Sequence, residues 1–205
     1  MSKILIIGAG AMGTAFAVPC SDNDHEVTVL GTHLEDDVIK KIKDTHIHPT
    51  LKTKLSNKIN FTFFNDNKKI INSGFDLIVL GMSSKGIEWA AEQLSKIYKN
   101  KNVPNLLMLT KGLSIYNNNY ELLVDKLKRL LSSKGISKIN ISAVGGPCLA
   151  SGLANRVHTS VVIANEDIKT AKKIANMLNT SYYHTSFSED INGVEVSAAI
   201  KNIFS

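Results

Sequence analysis

The stretch "KILIIGAGAMG", residues 3–13, decides the fold, because it joins a short apolar run to a glycine-rich turn. After Lys3 the run is continuously apolar, which is typical of a strand buried on both faces of a sheet. Gly8, Gly10 and Gly13 then give the spacing GxGxxG, directly before a segment that we expect to be helical. In that context the glycines permit a tight turn, a close approach of the backbone to a pyrophosphate, and close packing of helix on strand. The motif predicts a dinucleotide-binding turn; a glycine-rich turn without a ligand is the alternative.

Outside this turn, the chain alternates between strand and helix patterns. The alternation predicts βαβ units, and hence an α/β fold of the Rossmann type with a doubly wound, mostly parallel sheet. In "SFSED", residues 186–190, a serine and two acids precede a last apolar segment and predict a helix N-terminus. We therefore divide the chain into a dinucleotide-binding domain at 1–186 and the start of a helical domain at 187–205. The predicted strands are 3–8, 26–31, 58–64, 75–82, 105–112, 138–147, 158–165 and 181–185, and the predicted helices are 11–20, 34–43, 84–98, 119–133 and 167–178.

Composition excludes several classes of protein. The chain has 205 residues, of which 43% are hydrophobic and 20% charged, with a net charge of +6. Its lysines are scattered, whereas a nucleic-acid groove needs a continuous basic stripe, so we expect no nucleic-acid partner but a mild preference for anionic small molecules. No stretch approaches the ~18 apolar residues of a membrane span. Cys20 and Cys148 are far apart and predict neither a disulfide framework nor a zinc site, so a reduced, cytoplasmic setting is expected.

The end of the second predicted strand bears on the choice of cofactor. NAD-binding folds of this kind place an acid there to hold the adenosine ribose hydroxyls. Here Gly31, Thr32 and His33 stand at that place, and the nearest acids, from Glu35 onward, are predicted to lie on the next helix. A missing carboxylate removes the repulsion against a 2′-phosphate, so the sequence favours NADP, or the use of both NADP and NAD.

Four segments, the first of which contains the glycine turn, occur in order along the chain: "GAGAMGTAFA" (8–17), "LTKGL" (109–113), "GGPCLA" (145–150) and "GVEVSAAIKN" (193–202). Together they resemble the NAD(P)-dependent glycerol-3-phosphate dehydrogenases of the bacterial and archaeal type, over the whole chain. The resemblance implies reversible reduction of dihydroxyacetone phosphate to sn-glycerol 3-phosphate, a precursor of glycerophospholipids. It also implies a further helical substrate domain, most of which is not in these 205 residues.

The resemblance assigns roles to residues of this chain. Lys201 corresponds to the family's catalytic lysine, which moves the proton, and Lys111 to a second lysine that touches both cofactor and substrate. Such an ammonium stabilises the charge that hydride transfer leaves on the ketone oxygen. Cys148 stands where the family usually has serine or threonine. The implied cofactor-binding residues beside the glycines are Ala11, Met12, Thr32 or His33, Lys111 and Ala150, and the implied substrate-binding residues are Lys111, Gly146, Cys148 and Lys201.

Several alternatives remain open from the sequence. His33, His46 and His48 suggest a metal site, but no third ligand keeps a fixed spacing with "HIH", so loop histidines and no metal are expected. Ser83 and the residues after it either border the ligand or cap the next helix. For the whole chain, the rival functions are a related hydroxy-acid dehydrogenase and a non-catalytic NAD(P)-binding module or sensor. For the glycerol-3-phosphate dehydrogenase interpretation, a homodimer is a further expectation.

Overall fold

The computed structural model describes residues 1–66, 74–99 and 101–201, so the last residue of the 193–202 motif lies outside the described residues. One large sheet runs through the molecule, with helices on both of its faces. The strands are β1 Lys3–Ile7, β2 Glu26–Leu30, β3 Ile59–Thr62, β4 Leu77–Leu80, β5 Asn105–Met108, β6 Leu113–Tyr116, β7 Asn119–Leu122, β8 Ile141–Gly145, β9 Thr159–Ala164 and β10 Tyr183–Ser188. Of these, β6 and β7 form a separate hairpin, and the others form the large sheet. The helices are α1 Ala11–Asp22, α2 Asp36–Thr45, α3 Ile87–Tyr98, α4 Leu123–Ser133, α5 Ala150–Ala154, α6 Ile168–Leu178 and α7 Ile191–Ile200.

The strand order of the large sheet confirms the predicted fold class. The order is β10-β9-β8-β5-β4-β1-β2-β3, with β1 pairing in parallel with both β2 and β4. All neighbouring strands pair in parallel except β8 and β9, which are antiparallel. The strand order reverses beside β1, and ligands of open α/β sheets bind outside the carboxyl ends of the strands at such a point.

The two faces of β1 explain why its sequence is apolar throughout. Ile4 and Ile6 point into the core cluster that contains Phe16 of α1, whereas Leu5 and Ile7 point into the cluster on the opposite face, beneath α3 and α4. Because helices cover both faces, every residue of the strand after Lys3 is buried. Within the described ranges, no helix is long and apolar enough to cross a membrane.

Several predicted boundaries shift by a few residues, and two of the differences change the description of the fold. The predicted helix at 119–133 begins only at Leu123, because residues 113–122 form the antiparallel hairpin β6–β7. Asn117 and Asn118, at the tip, have φ values of +50° and +61°, as a two-residue type I′ turn requires. At the other end of the chain, β10 continues to Ser188, so the sheet extends beyond the predicted division at 186.

The last helix packs closely against the sheet. Asp190 precedes α7, and its side chain accepts a hydrogen bond of 2.8 Å from the N–H of Gly193. A Cβ on Gly145 of β8 would lie 2.7 Å from Cγ1 of Val194, so only a glycine there lets α7 approach this strand. The C-terminus of α7 is thereby directed to the same edge of the sheet as the glycine turn, and Lys201 follows its last residue.

Candidate functional site

The glycine turn lies where β1, β2 and β4 end. The N–H of Gly8 donates to the carbonyl of Leu30, and the N–H of Gly81 donates to that of Ile7. Gly8 has a φ of +110°, and a Cβ on Gly13 would lie only 2.2 Å from the carbonyl oxygen of Gly8. The turn therefore requires glycine at both positions for its backbone path and for the packing of α1 on the strand.

Inside this turn, the N–H and the carbonyl oxygen of Ala9 both form hydrogen bonds. Its N–H donates to Oε2 of Glu35 at 2.8 Å. Its carbonyl oxygen accepts from Oγ1 of Thr14 and from Nε2 of His48, each at 3.1 Å. Nδ1 of His48 accepts from the N–H groups of Thr50 and Leu51, so Nε2 carries the proton. His48 is 1% exposed, and burial is the main cause that lowers its pKa.

Glu35 overturns the expectation that no carboxylate stands near the end of β2. It precedes α2, but its side chain turns back, and Oε2 also accepts from the N–H of Thr32 at 2.8 Å. Oε1 lies 3.5 Å from the place that a Cβ on Gly10 would take. The acid therefore lies over the glycine turn although it comes five positions after the last residue of β2.

Thr32 and His33, predicted near the adenosine, have different surroundings. Thr32 is buried, whereas His33 is exposed and belongs to a cluster of three aromatic rings. The His33 ring centroid is 5.3 Å from that of Trp89, and the Phe64 and Trp89 centroids are 5.2 Å apart. His33 follows β2, Phe64 follows β3 and Trp89 lies on α3. The rings are inclined to one another, by 39° for His33 and Trp89 and by 50° for Phe64 and Trp89.

The predicted lysines line one cleft. It has a volume of about 430 Å³ and is lined by Met12 of the glycine turn, Lys111, Cys148 and Lys201, together with Gly81, Met82, Ser83, Ser84, Leu109 and Thr110. Nζ of Lys111 donates to the carbonyl oxygen of Gly146 at 3.0 Å, and Oγ1 of Thr110 donates to that of Met82 at 2.7 Å. The loop after β5 is thereby tied to the loops after β8 and β4. We call this space the lysine cleft.

Burial shifts two pKa values in the lysine cleft, and the neighbouring charges modify both shifts. Burial lowers the pKa of Lys111, and the nearby Lys201 lowers it further, while Cys148 acts in the opposite direction. The pKa of the Cys148 thiol is raised, because burial outweighs the effects of Lys111, a hydrogen bond with Thr159 and Lys201. The cleft is therefore a positive site beside a largely protonated thiol.

A second cleft meets the first at Lys201. It has a volume of about 500 Å³ and lies between α7 and the ends of β8 and β9, where Gly146, Ser197 and Ala198 are among its lining residues. Gly146 has a φ of +128°, and a Cβ there would lie 2.8 Å from the carbonyl oxygen of Ser160. Ser197 and Ala198 of α7 are small and leave open space beside Lys201.

The structure brings most of the proposed site residues to one edge of the sheet. Met12, Lys111, Cys148 and Lys201 share the lysine cleft, and Gly146 lies beside it. Ala11 starts α1 in the glycine turn, whereas Ala150 starts α5 and packs, partly buried, against the core. Ser83 lines the lysine cleft and precedes the turn Ser84–Gly86, with no hydrogen bond from its side chain to that turn.

Sequence reasoning missed Glu35 and His48 as neighbours of the glycine turn. His48 is a buried loop histidine, as expected, but its contact with Ala9 joins residues 39 positions apart and carries no local signal. For Glu35, the sequence does show an acid close after β2, but the prediction assigns it to the next helix instead of to the segment before that helix. Among the described residues, no group of three or more His, Cys, Asp and Glu side chains could hold a metal ion.

The residues of the turn fit a dinucleotide. Gly10, which precedes α1, has no side chain to cap the helix. Apart from its neighbours along the chain, only Oε1 of Glu35 among the described residues comes within 4 Å of where its Cβ would be. The N-terminus of α1 has no side-chain cap, and uncapped N–H groups at a helix N-terminus suit a pyrophosphate. The lysine cleft begins at Met12, within this turn, so a ligand on the turn would extend towards the two lysines.

Comparisons with known proteins identify the family. The family model described as "NAD-dependent glycerol-3-phosphate dehydrogenase N-terminus" matches residues 3–171. An NADP(+)-dependent glycerol-3-phosphate dehydrogenase of Archaeoglobus fulgidus is 29% identical over 98% of this chain and 58% of its own length. A glycerol-3-phosphate dehydrogenase [NAD(P)+] of Rickettsia typhi is 33% identical over 98% of this chain and 59% of its own. The chain thus spans little more than half the length of these relatives.

A solved structure has the same fold. The crystal structure of glycerol-3-phosphate dehydrogenase from Coxiella burnetii superposes with a TM-score of 0.82 at 19% sequence identity. It covers 98% of this chain, and this chain covers 58% of it. The likeness shows that the two chains share a fold.

Proposed function

Because this chain belongs to the family of NAD-dependent glycerol-3-phosphate dehydrogenases, we propose that it carries out the cofactor and proton steps of their reaction. The reaction is the reversible reduction of dihydroxyacetone phosphate to sn-glycerol 3-phosphate with NADH or NADPH, which supplies a precursor of glycerophospholipids. The observation that carries this proposal is the lysine cleft, in which Lys111 and Lys201 lie together in a space that begins at the glycine turn.

In this reaction the glycine turn binds the cofactor, and the lysine cleft holds the groups that act on the substrate. When bound, the reduced nicotinamide supplies a hydride to the carbonyl carbon of the substrate, so the chain has to supply a proton to the carbonyl oxygen. Nζ of Lys201 donates that proton in the reductive direction and accepts it in the oxidative direction. Lys111, fixed by its bond to Gly146, stabilises the negative charge that develops on the oxygen.

The substrate phosphate also suits this cleft. The described lining residues include two lysines and no carboxylate, so the cleft attracts a dianion. Cys148 offers a thiol where a hydroxyl would give a stronger hydrogen bond, so substrate positioning depends more on the lysines.

A homodimer and a cytoplasmic location are part of the same proposal, and both cysteines are free and buried, in keeping with a reduced compartment.

The test is oxidation of NADH and NADPH by dihydroxyacetone phosphate, followed by absorbance, in the wild-type protein and in Lys201→Met. We expect the variant to lose about 100-fold or more in turnover, because general acid catalysis contributes that much. Its cofactor affinity, measured by calorimetry, should not change. Lys96→Met is the matched control, since Lys96 pairs with Glu92 on the exposed face of α3.

Other outcomes would favour the rival functions. Full turnover by Lys201→Met would refute the role of this lysine. Cofactor binding by the wild-type protein without any oxidation by dihydroxyacetone phosphate would favour a non-catalytic NAD(P)-binding module. Oxidation by a keto acid in its place would favour a hydroxy-acid dehydrogenase.

A further inference from the structure

Glu195 is a buried acid of the last helix, α7, and the proposed reaction does not use it. Only 5% of this residue is exposed. Its Oε2 accepts a hydrogen bond of 3.2 Å from the N–H of Val124, in the first turn of α4. Leu122, which precedes α4, provides no side-chain cap for that helix. The acid therefore supplies an acceptor to the N-terminus of α4 from a different helix.

The end of α4 that Glu195 contacts lies next to the turn that carries Lys111. Lys111 is followed by Gly112, which has a φ of +135°. A Cβ on Gly112 would lie 3.9 Å from Cδ1 of Leu123, the first residue of α4. The hydrogen bond of Glu195 therefore joins α7, which leads to Lys201, to a helix end beside the other lysine of the cleft.

Lys201 depends on α7 for its position. Among the residues that the structure describes, none forms a hydrogen bond or an ion pair with its Nζ. The contact of Val194 with Gly145 sets how closely α7 approaches β8, but apolar packing has no preferred direction. A hydrogen bond is directional, so the one that Glu195 accepts from Val124 also fixes the rotation of α7 about its axis.

We propose that Glu195 is a positioning residue that sets the place of Lys201 relative to Lys111, and its effect on turnover rests on the proposed function. Lys201 continues α7 in helical conformation, with φ −51° and ψ −35°. It lies about 9 Å from Glu195 along the helix axis, so a rotation of α7 at the contact moves Lys201 as well. Lys111 is fixed by its hydrogen bond to Gly146. Holding α7 against α4 therefore fixes the second lysine relative to the first.

The competing interpretation is that Glu195 only caps α4. Both interpretations predict a less stable protein when the acceptor is removed, so stability does not separate them. The pKa of Lys111 does, because burial lowers it and the nearby Lys201 lowers it further. If Glu195 holds Lys201 in place, loss of the contact should raise the pKa of Lys111, whereas loss of a simple cap should leave that pKa unchanged.

The experiment is an NMR titration of the Lys111 side chain in protein with isotope-labelled lysine. Glu195→Gln and Glu195→Met both remove the charge, but only glutamine keeps an acceptor for the N–H of Val124. We expect the pKa of Lys111 to stay at its wild-type value in Glu195→Gln. In Glu195→Met it should rise towards the value that Lys111 has in Lys201→Met. Val196→Ala is the matched control, because Val196 is 40% exposed on the same helix, and it should leave the pKa of Lys111 unchanged.

Turnover gives a second measurement, by oxidation of NADH with dihydroxyacetone phosphate. We expect Glu195→Met to lose roughly tenfold or more in kcat, because a misplaced catalytic group loses much of its effect. Glu195→Gln should keep most of the wild-type kcat. The affinity for NADH, measured by calorimetry, should be unchanged in both variants, because the glycine turn is held by β1, β2 and β4 rather than by α7.

Three results would overturn the inference: a pKa of Lys111 that is the same in Glu195→Met as in wild type, one that changes equally in Glu195→Gln and Glu195→Met, or one that rises as far in Val196→Ala. If Glu195→Met does not fold, Glu195→Asp takes its place with the same expected rise, since its carboxylate is one methylene further from Val124. A wild-type chain that does not oxidise NADH would refute the proposed reaction, while the pKa of Lys111 would still decide whether Glu195 positions Lys201.

Discussion

The glycine turn and the lysine cleft lie at the same edge of the sheet, but the fold holds them by different means. The turn is fixed by β1, β2 and β4, and its Ala9 peptide has partners at both its N–H and its carbonyl oxygen. The cleft gathers its charged groups from the loop after β5 and from the end of α7, where Lys201 follows Ile200. We infer that changes in the turn act on packing, and that changes in the cleft act on charge.

The largest effect is expected at Gly13. In Gly13→Ala the new Cβ would lie 2.2 Å from the carbonyl oxygen of Gly8, and neither backbone can rotate out of the way. We expect the free energy of unfolding to fall by about 3 kcal/mol or more, and NADH binding to be lost. Urea denaturation and calorimetry would measure the two effects.

Gly10 and Gly152 supply the controls for that change. Gly10→Ala meets only Oε1 of Glu35, at 3.5 Å, so the fold should tolerate it while the cofactor backbone is blocked. In Gly152→Ala, a helical position, the new Cβ meets only Val157, at 3.7 Å, and both stability and binding should be kept. Equal losses of the free energy of unfolding in Gly13→Ala and Gly10→Ala would contradict the view that the turn depends on the close packing of Gly13 against Gly8.

The sequence predicts the glycine turn and β1 well but not the hairpin or the position of Glu35, and the reasons are physical. The turn and β1 are local features, so the GxGxxG spacing and the apolar run suffice to predict them. The hairpin at 113–122 is mostly exposed, with Ile115 73% and Tyr120 83% exposed, and so lacks the half-buried alternation that marks a strand. Glu35 was predicted to be on a helix because its role comes from a side chain that folds back on the turn, which no periodicity records.

The helix that carries Lys201 depends on a buried acid. Glu195 of α7 is 5% exposed, and its Oε2 accepts from the N–H of Val124 in the first turn of α4, at 3.2 Å. Burial raises the pKa of this carboxyl to about 7, and Asp125 contributes, while hydrogen bonds from Val124 and Leu123 oppose the shift. Burial therefore makes the folded protein most stable when Glu195 is protonated, although the two hydrogen bonds by themselves favour the carboxylate.

The second prediction follows from that pKa. In the unfolded chain Glu195 loses its proton near pH 4.3, but in the folded chain only near pH 7, so its contribution to stability is complete at low pH and is lost as the pH rises between these values. One pKa unit corresponds to about 1.4 kcal/mol, which gives a loss of up to roughly 3 kcal/mol. Glu195→Gln has no such proton, so its stability relative to wild type should rise from about pH 5 to pH 7 and then level off.

Urea denaturation across that pH range would measure this difference. Glu189→Gln is the control, because it removes an exposed carboxylate beside the same helix. A constant difference between Glu195→Gln and wild type at every pH would show that the shifted proton is not the cause.

The smallest effect is expected from Lys111, and it concerns charge alone. Among the groups that oppose the raised pKa of the Cys148 thiol, Lys111 ranks first and Lys201 last. Lys111→Met should therefore raise the thiol pKa further, so that alkylation of Cys148 by iodoacetamide moves to higher pH, with little change in the free energy of unfolding. Cys20 is the internal reference, since it is fully buried among apolar side chains and distant from the lysines in the sequence. If the alkylation profile of Cys148 stayed the same while stability fell, the cleft would depend on Lys111 for packing, and the contrast with the glycine turn would fail.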